Sequence, residues 1–212
     1  MYFIGDVHGK TKQLGELLSK LDKTQVAFQV GDMGLGFRDV SLDEYDPGEF
    51  RFIRGNHDSP EACRKHPNYA GDYGYLEHLE LFFIGGVYFI DGPPYRTPGV
   101  SWWEDEQLSY DDLITAQRLY LKVKPRIVVT HEAPTLAAEE LLRPMLIRSN
   151  NGYYDAKMEC GTSRTSRFLQ TMQTLHHPEH WYFGHYHVDR EFKLLGTTFH
   201  CLAELSVKEH RP

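Results

Sequence analysis

The chain has 212 residues, 41% of them hydrophobic and 25% charged, with a formal net charge of -7; that is long enough for one substantial α/β core and short for two domains of usual size. No stretch approaches the roughly 20 apolar residues of a membrane span, and the negative charge argues against duplex nucleic acid as a partner while leaving a nucleotide open. Cys63, Cys160 and Cys201 are odd in number and far apart, so reduced thiols are expected rather than a disulfide framework or a thiolate metal site. Residues 1–212 are expected to form one domain. Because the amino terminus runs directly into an apolar strand, with no room for a signal segment, a soluble, cytoplasmic protein is expected.

Met1–Ile4 is a short apolar run that reads as a buried strand, and it ends in Gly5-Asp6-Val7-His8-Gly9. Leu14, Leu17, Leu18 and Leu21 recur at helical spacing and predict a helix over Lys10–Leu21. Val26–Val30 repeats the strand pattern and ends in Gly31-Asp32; after an acidic, turn-rich stretch from Asp39 to Gly48, Phe50–Ile53 leads into Arg54-Gly55-Asn56-His57-Asp58 and a short helix around Pro60–Lys65. This β-α-β alternation predicts parallel strands. Leu81–Ile84 and Val87–Ile90 flank Gly85-Gly86, a two-residue hairpin signal. The next segment contains Pro93-Pro94, Pro98-Gly99 and Trp102-Trp103, and its tryptophans read as a cover for the sheet in preference to a stacking surface. Glu104-Asp105-Glu106 suits a helix amino terminus, and a helix is expected over Tyr110–Leu121.

Ile127–Val129 is a fourth buried strand, ending in Thr130-His131-Glu132. A short helix is expected over Leu136–Leu142, and Arg143–Gly161 has no periodicity. Long irregular loops of that kind form lids and substrate walls, and Arg148, Asn150, Asn151 and Arg164 are its polar candidates. Thr162–Leu175 reads as a helix and Trp181–Phe183 as a strand ending in Gly184-His185-Tyr186-His187; two closing strands, Arg190–Leu194 and Thr197–Leu202, turn about Gly196. Of the other histidines, His66, His78, His176, His177, His180, His200 and His210 read as structural or surface groups.

Five strands thus end in metal-ligand side chains. In an open sheet, ligands gather in the crevice beyond the carboxyl ends of the strands, where loops converge from distant parts of the chain. Asp6, His8, Asp32, Asn56, His131, His185 and His187 supply oxygen and nitrogen donors and no thiolate, a mixture suited to manganese, iron or zinc in an open catalytic site. The adjacent glycines Gly5, Gly9, Gly31, Gly34, Gly55 and Gly184 are expected to turn the chain sharply at positive φ and let the backbone approach the ions. Asp32 is the expected carboxylate bridge between two cations about 3.5–4 Å apart.

Asp-x-His, Gly-Asp, Gly-Asn-His-Asp, a strand-end His and Gly-His-x-His, in this order from Met1 to about Leu205, resemble the calcineurin-like metallophosphoesterase superfamily. The resemblance implies an α/β fold, a four-layer α-β-β-α sandwich with mixed sheets, and two divalent metal ions, manganese first among them. It implies that Asp6, His8, Asp32 and His187 bind one ion and that Asp32, Asn56, His131 and His185 bind the other. A metal-bridging hydroxide would then attack phosphorus, with His57 as the proton donor to the leaving oxygen. Asp58 would orient a neighbouring group. Arg54 corresponds to an arginine that grips substrate phosphate in the branch containing Ser/Thr protein phosphatases and dinucleoside tetraphosphatases, a role that suits its bidentate fork.

The chain departs from that branch in one respect: Leu35-Gly36 stands where an Asp-Arg pair is expected. Arg38 is close enough to compensate, or it forms a surface ion pair with Asp39 or Asp43. The implied function is a phosphoesterase, with a phosphomonoester favoured over a phosphodiester or pyrophosphate linkage and a small phosphorylated molecule, nucleotide or phosphoprotein as substrate. A noncatalytic interaction module on the same fold is the reading from another class.

Overall fold

A computed structural model of the chain describes residues 1–37, 40–46, 48–87, 96–148 and 163–211. Strands β1 (Tyr2–Ile4), β2 (Ala27–Gln29), β3 (Phe50–Phe52) and β10 (Val207–Glu209) form one sheet in the order β10-β1-β2-β3. Strands β4 (Tyr73–Leu76), β5 (Leu81–Ile84), β6 (Ile127–Thr130), β7 (His180–Phe183), β8 (Arg190–Leu194) and β9 (Thr197–Cys201) form the other in the order β4-β5-β6-β7-β9-β8. Both sheets are mixed: β1 pairs in parallel with β2 and antiparallel with β10, while β5 pairs in parallel with β6 and antiparallel with β4.

Strand periodicity builds the layers, because successive side chains point to opposite faces. Phe3, Phe28 and Val30 of the first sheet meet Phe83, Val129 and Tyr182 of the second in a buried cluster between the sheets. Their neighbours Ile4 and Ala27 face outward onto Leu14 and Leu18 of helix α1 (Thr11–Leu18) and Cys63 of α2 (Pro60–Lys65). On the opposite flank, Phe82, Val128, Trp181 and Phe183 pack on Tyr120, Ala138 and Leu169 of helices α3 (Tyr110–Val123), α4 (Thr135–Arg148) and α5 (Arg164–Leu175). The result is the four-layer α-β-β-α sandwich.

Serines cap three of these helices. The Ser59, Ser109 and Ser163 side chains accept from Ala62, Asp112 and Ser166 amides, satisfying donors that a first turn leaves open. The acidic first turn of α3 is Asp111 and Asp112, whereas Asp105 of the acidic trio pairs with Arg64 at 2.7 Å. Among the described residues no helix is long and apolar enough to cross a membrane.

Two expectations are corrected. Gly85-Gly86 does not turn a hairpin on β5, because β5 is already paired on both edges, antiparallel to β4 and parallel to β6. The glycine amides donate instead to Asp72 O (2.9 Å) and Arg54 O (2.8 Å); residues 88–90 of the expected second arm lie outside the described residues. Helix α4 also runs to Arg148, past the expected end at Leu142 and through Pro144. A helical proline has no N–H to give the carbonyl four residues back. That carbonyl belongs to Glu140, and Arg190 Nη1 of β8 donates to it at 2.7 Å and to Leu141 O at 2.6 Å. A strand residue thus replaces the bond the proline removes. Residues 149–162, with Asn150, Asn151 and Cys160, and the pair Arg38 and Asp39 lie outside the described residues.

The remaining histidines are structural where they are buried. His176 meets Pro125 O and His66 meets Leu42 O. His180 Nδ1 lies 3.0 Å from His200 Nε2, His200 stacks on Tyr182 at 4.2 Å, and the Tyr182 hydroxyl meets His210 Nδ1 at 2.8 Å. Burial lowers the pKa of all three of these histidines, that of His200 to about 4. Cys63 and Cys201 are buried thiols without a disulfide, and burial raises both well above the usual thiol value.

Candidate metal centre

The parallel pairings β1–β2–β3 and β6–β7 bring the carboxyl ends of five strands to one end of the two sheets. The chain leaves these strands abruptly. His8, Asp32, His185 and His187 take φ of 48°, 61°, 68° and 53°, a left-handed conformation costly for residues with a Cβ and concentrated at functional sites. The turns are latched together: Val7 and His8 amides both donate to Asp32 O at 2.9 Å, and the Gly9 amide donates to Met33 O at 2.8 Å. Several adjacent glycines serve a different purpose from the one expected. Gly55 and Gly184 are not at positive φ; a Cβ at Gly55 would collide with Asp32 Oδ1 and the His131 ring, and one at Gly184 with the Asp6 carboxylate.

The buried Asp6 carboxylate accepts the His185 amide at 3.2 Å through both oxygens. Its Oδ2 lies 3.1 Å from His187 Nε2 and 3.7 Å from His8 Nε2, and those two imidazole nitrogens are 2.9 Å apart. Asp32 Oδ1 accepts the His57 amide at 2.7 Å and stands 3.3 Å from His131 Nε2, while its Oδ2 is 3.9 Å from His8 Nε2. His131 Nδ1 is bound to Val30 O at 3.0 Å, which turns Nε2 toward the carboxylates. His185 lies beside His131, ring centroids 5.2 Å apart. Donor atoms of Asp6, His8 and His187, of Asp6, Asp32 and His131, and of His8, Asp32 and His57 each fall within 4.8 Å of one another.

Electrostatics mark the same place. Burial alone would raise both carboxylates, yet His131 holds Asp32 well below the usual range, and His187 and His8 hold Asp6 low. His131 is raised to about 10 against burial, chiefly by Asp32, whereas burial and His131 push His185 down to about 3. Asn56 Oδ1 and His131 Nε2 are buried atoms that make no hydrogen bond. Such atoms are costly unless something else binds them. Two buried carboxylates, converging imidazoles and the unpartnered, buried amide oxygen of Asn56 fit divalent cations.

The calcineurin-like phosphoesterase family model matches residues 1–189. The chain belongs to the calcineurin-like phosphoesterases. Metal-dependent hydrolysis of a phosphoester is therefore its chemistry. Among solved structures the chain is similar to the phosphopantetheinyl hydrolase PptH from Mycobacterium tuberculosis, with a TM-score of 0.53 and 10% identity over 96% of this chain and 89% of that one. At that identity the likeness speaks to the fold. No curated protein matches the chain.

Arg54 and Asp58 of this phosphoesterase are both bound by internal partners. Arg54 is fully buried, with Nε on Asp72 Oδ1 and Nη1 on Glu106 O, both at 2.6 Å. The Asp72 carboxylate that holds it also takes Arg64 (3.1 Å) and the Tyr69 hydroxyl (2.8 Å). Its guanidinium is held in an internal network and is not among the described residues that line the cavity over His8 and His57. The Asp58 carboxylate is buried and engaged by backbone: Oδ1 accepts the Gly34 and Leu35 amides at 2.8 and 3.0 Å, and Oδ2 those of Gly55 and Met33 at 2.8 and 3.2 Å. It fastens the Asp32 loop to the Asn56 loop. Asn56 is buried.

The cavity over the site measures about 500 Å³ and is lined by His8, His57, Gly34, Phe37, Val40, Arg96, Val100 and Ser101. Arg96 Nη2 is 3.4 Å from His57 Nε2. Nothing in the sequence singles out Arg96, an isolated arginine in a proline-rich stretch. Trp103 lies 6.2 Å from Phe37, at the rim of this region, and neither tryptophan belongs to the clusters that cover the sheets. Tyr186 packs behind the ligands against Phe183. Two buried supports also had no sequence signal. Gln29 binds the backbone of Gly31 and Gly5, and Glu132 accepts from the Ser163 hydroxyl at the start of α5.

Proposed function

We propose that this phosphoesterase uses two divalent cations to hydrolyse phosphomonoesters, with a small phosphorylated molecule or nucleotide as substrate in preference to a phosphoprotein. Asp32 is the proposed bridge, completed by Asp6, His8 and His187 on one side and by Asn56, His131 and His185 on the other. The observation that carries this reading is the position of Asp32, with one oxygen beside His131 and the other toward His8. Manganese is the first choice for a mixed carboxylate, amide and imidazole set, with iron and zinc as alternatives. When bound, the cations supply an acidified water for in-line attack on phosphorus and positive charge for the phosphoryl oxygens.

The protein's own residues supply the rest. His57 is proposed to deliver the proton to the leaving oxygen, its backbone fixed on Asp32 and its ring at the cavity floor, 4.9 Å from that of His8. Burial lowers its pKa to about 4, with Asp32 opposing and His8 and Arg96 adding to the shift. A dianionic phosphoryl group against the ring favours the imidazolium. Arg96 adds a cation beside His57 that suits the second negative charge of a monoester. The unbonded cysteines Cys63 and Cys201 suit a reducing compartment, and the cytoplasm is proposed.

Metal-stripped protein reloaded with manganese, iron or zinc should hydrolyse p-nitrophenyl phosphate more efficiently than its bis-ester, cyclic nucleotides or dinucleoside polyphosphates. Higher kcat/KM on the diesters would overturn the monoester preference. No turnover with any metal would favour an interaction module.

A further inference from the structure

The cavity extends well beyond the metal ligands, and its far wall has a distinct chemistry. Phe37 stands 5.3 Å from His57, ring to ring, and carries the Arg96 guanidinium 5.4 Å above its own centroid. Val40 and Val100 continue the wall, and Val100 is 56% exposed. An exposed aliphatic side chain gains nothing where it stands unless something apolar covers it.

The loop that presents Arg96 and Val100 is ordered by its own bonds. Arg96 Nη1 donates to Ser101 O at 2.7 Å, the Thr97 amide to Ser101 Oγ at 3.0 Å, and the Gly99 amide to Trp102 O at 2.8 Å. The wall is thus held in place before a ligand arrives, which limits the ordering cost of binding. Among the described residues no carboxylate lines the cavity; its ionisable groups are His8, His57 and Arg96. About 500 Å³ is the size of pocket that takes an organic ligand rather than a bare phosphate.

We propose that Phe37, Val40 and Val100 form a leaving-group pocket selecting phosphate esters of organic alcohols with an apolar segment, and that Arg96, stacked on Phe37, sits at the junction of phosphate and alcohol. The inference rests on the phosphomonoesterase reading and specifies its substrate class. Apolar contacts of this kind discriminate by roughly 10–200-fold per methylene at most, so the expected selectivity is modest and measurable.

The test uses the manganese-loaded protein with methyl and hexyl phosphate, two alkyl esters, alongside calorimetric binding of methyl- and hexylphosphonate, which are not hydrolysed. Hexyl phosphate should exceed methyl phosphate about tenfold or more in kcat/KM, and hexylphosphonate should bind about tenfold tighter than methylphosphonate. Phe37→Ala should shrink both hexyl-to-methyl ratios several-fold, and Val100→Ser, on the exposed loop, provides the same test without a core change. Equal phosphonate affinities, or ratios unmoved by both substitutions, would overturn the pocket whatever the turnover. Tight hexylphosphonate binding without monoester hydrolysis would instead sustain the pocket and count against the phosphomonoesterase reading.

Discussion

Replacing Asp58 by asparagine changes one oxygen to an amide nitrogen and almost nothing in shape. In the native protein each carboxylate oxygen takes two backbone donors, Gly34 and Leu35 on one and Gly55 and Met33 on the other, at 2.8–3.2 Å. An asparagine oxygen serves one pair, and the other pair then faces an NH2 group across a buried gap. Two buried donors without an acceptor cost about 1–3 kcal/mol each, so Asp58→Asn should lose about 2–6 kcal/mol. The loops freed from each other carry Asp32 and Asn56, and loss of such supporting contacts typically weakens metal binding about 10–100-fold. Urea unfolding of the metal-free protein gives the first number and manganese titration calorimetry the second. A variant with native stability and native manganese affinity but depressed turnover would refute this reasoning and place Asp58 in the chemistry.

Arg190→Met should destabilise the protein by about 2–4 kcal/mol, because it strips the donor from the Glu140 and Leu141 carbonyls. Pro144→Ala restores a helical N–H for Glu140, so the double variant should recover about half of that loss; a strictly additive cycle would exclude the coupling. The folded state lowers the pKa of His180, His200 and His210, so the unfolded chain binds more protons. Stability is then fully present above the unfolded value near 6.5 and falls as pH drops toward about 4, by roughly 1–3 kcal/mol for His200. Metal-free His200→Gln should show a flatter stability profile over that window, and an unchanged slope would contradict the assignment. Arg54→Met should unfold the protein more readily, because Asp72 is left without its buried partner; a folded variant that fails only in KM would favour the phosphate grip for Arg54.

Most of the strands, the helical spacing and the clustering of ligands were legible in the chain because each depends on local chemistry: apolar runs make buried strands, and Asp, Asn and His at their ends point to cations. Met1–Ile4, Phe50–Ile53 and Trp181–Phe183 could be read as strands without knowing their neighbours, and the helix at Pro60–Lys65 was legible from its proline and flanking residues. Residue type also told that Arg54 is cationic and Asp58 anionic. Sequence could not tell where those charges point. That depends on Asp72, Glu106 O and the amides of residues 33–35 and 55, groups as many as 52 positions distant along the chain. The hairpin at Gly85-Gly86 failed for the same reason, since a strand edge already occupied by β6 is invisible locally. Where helix α4 runs through Pro144, the carbonyl left open is met by Arg190 from another element.

The sequence by itself determined which donors this phosphoesterase offers a metal, because ligand chemistry belongs to side chains. Only the tertiary structure decided which arginine reaches the cavity: Arg54 is drawn inward by Asp72, while Arg96 is laid over Phe37 beside His57. A guanidinium is directed by its partners, and those partners are assembled by folding.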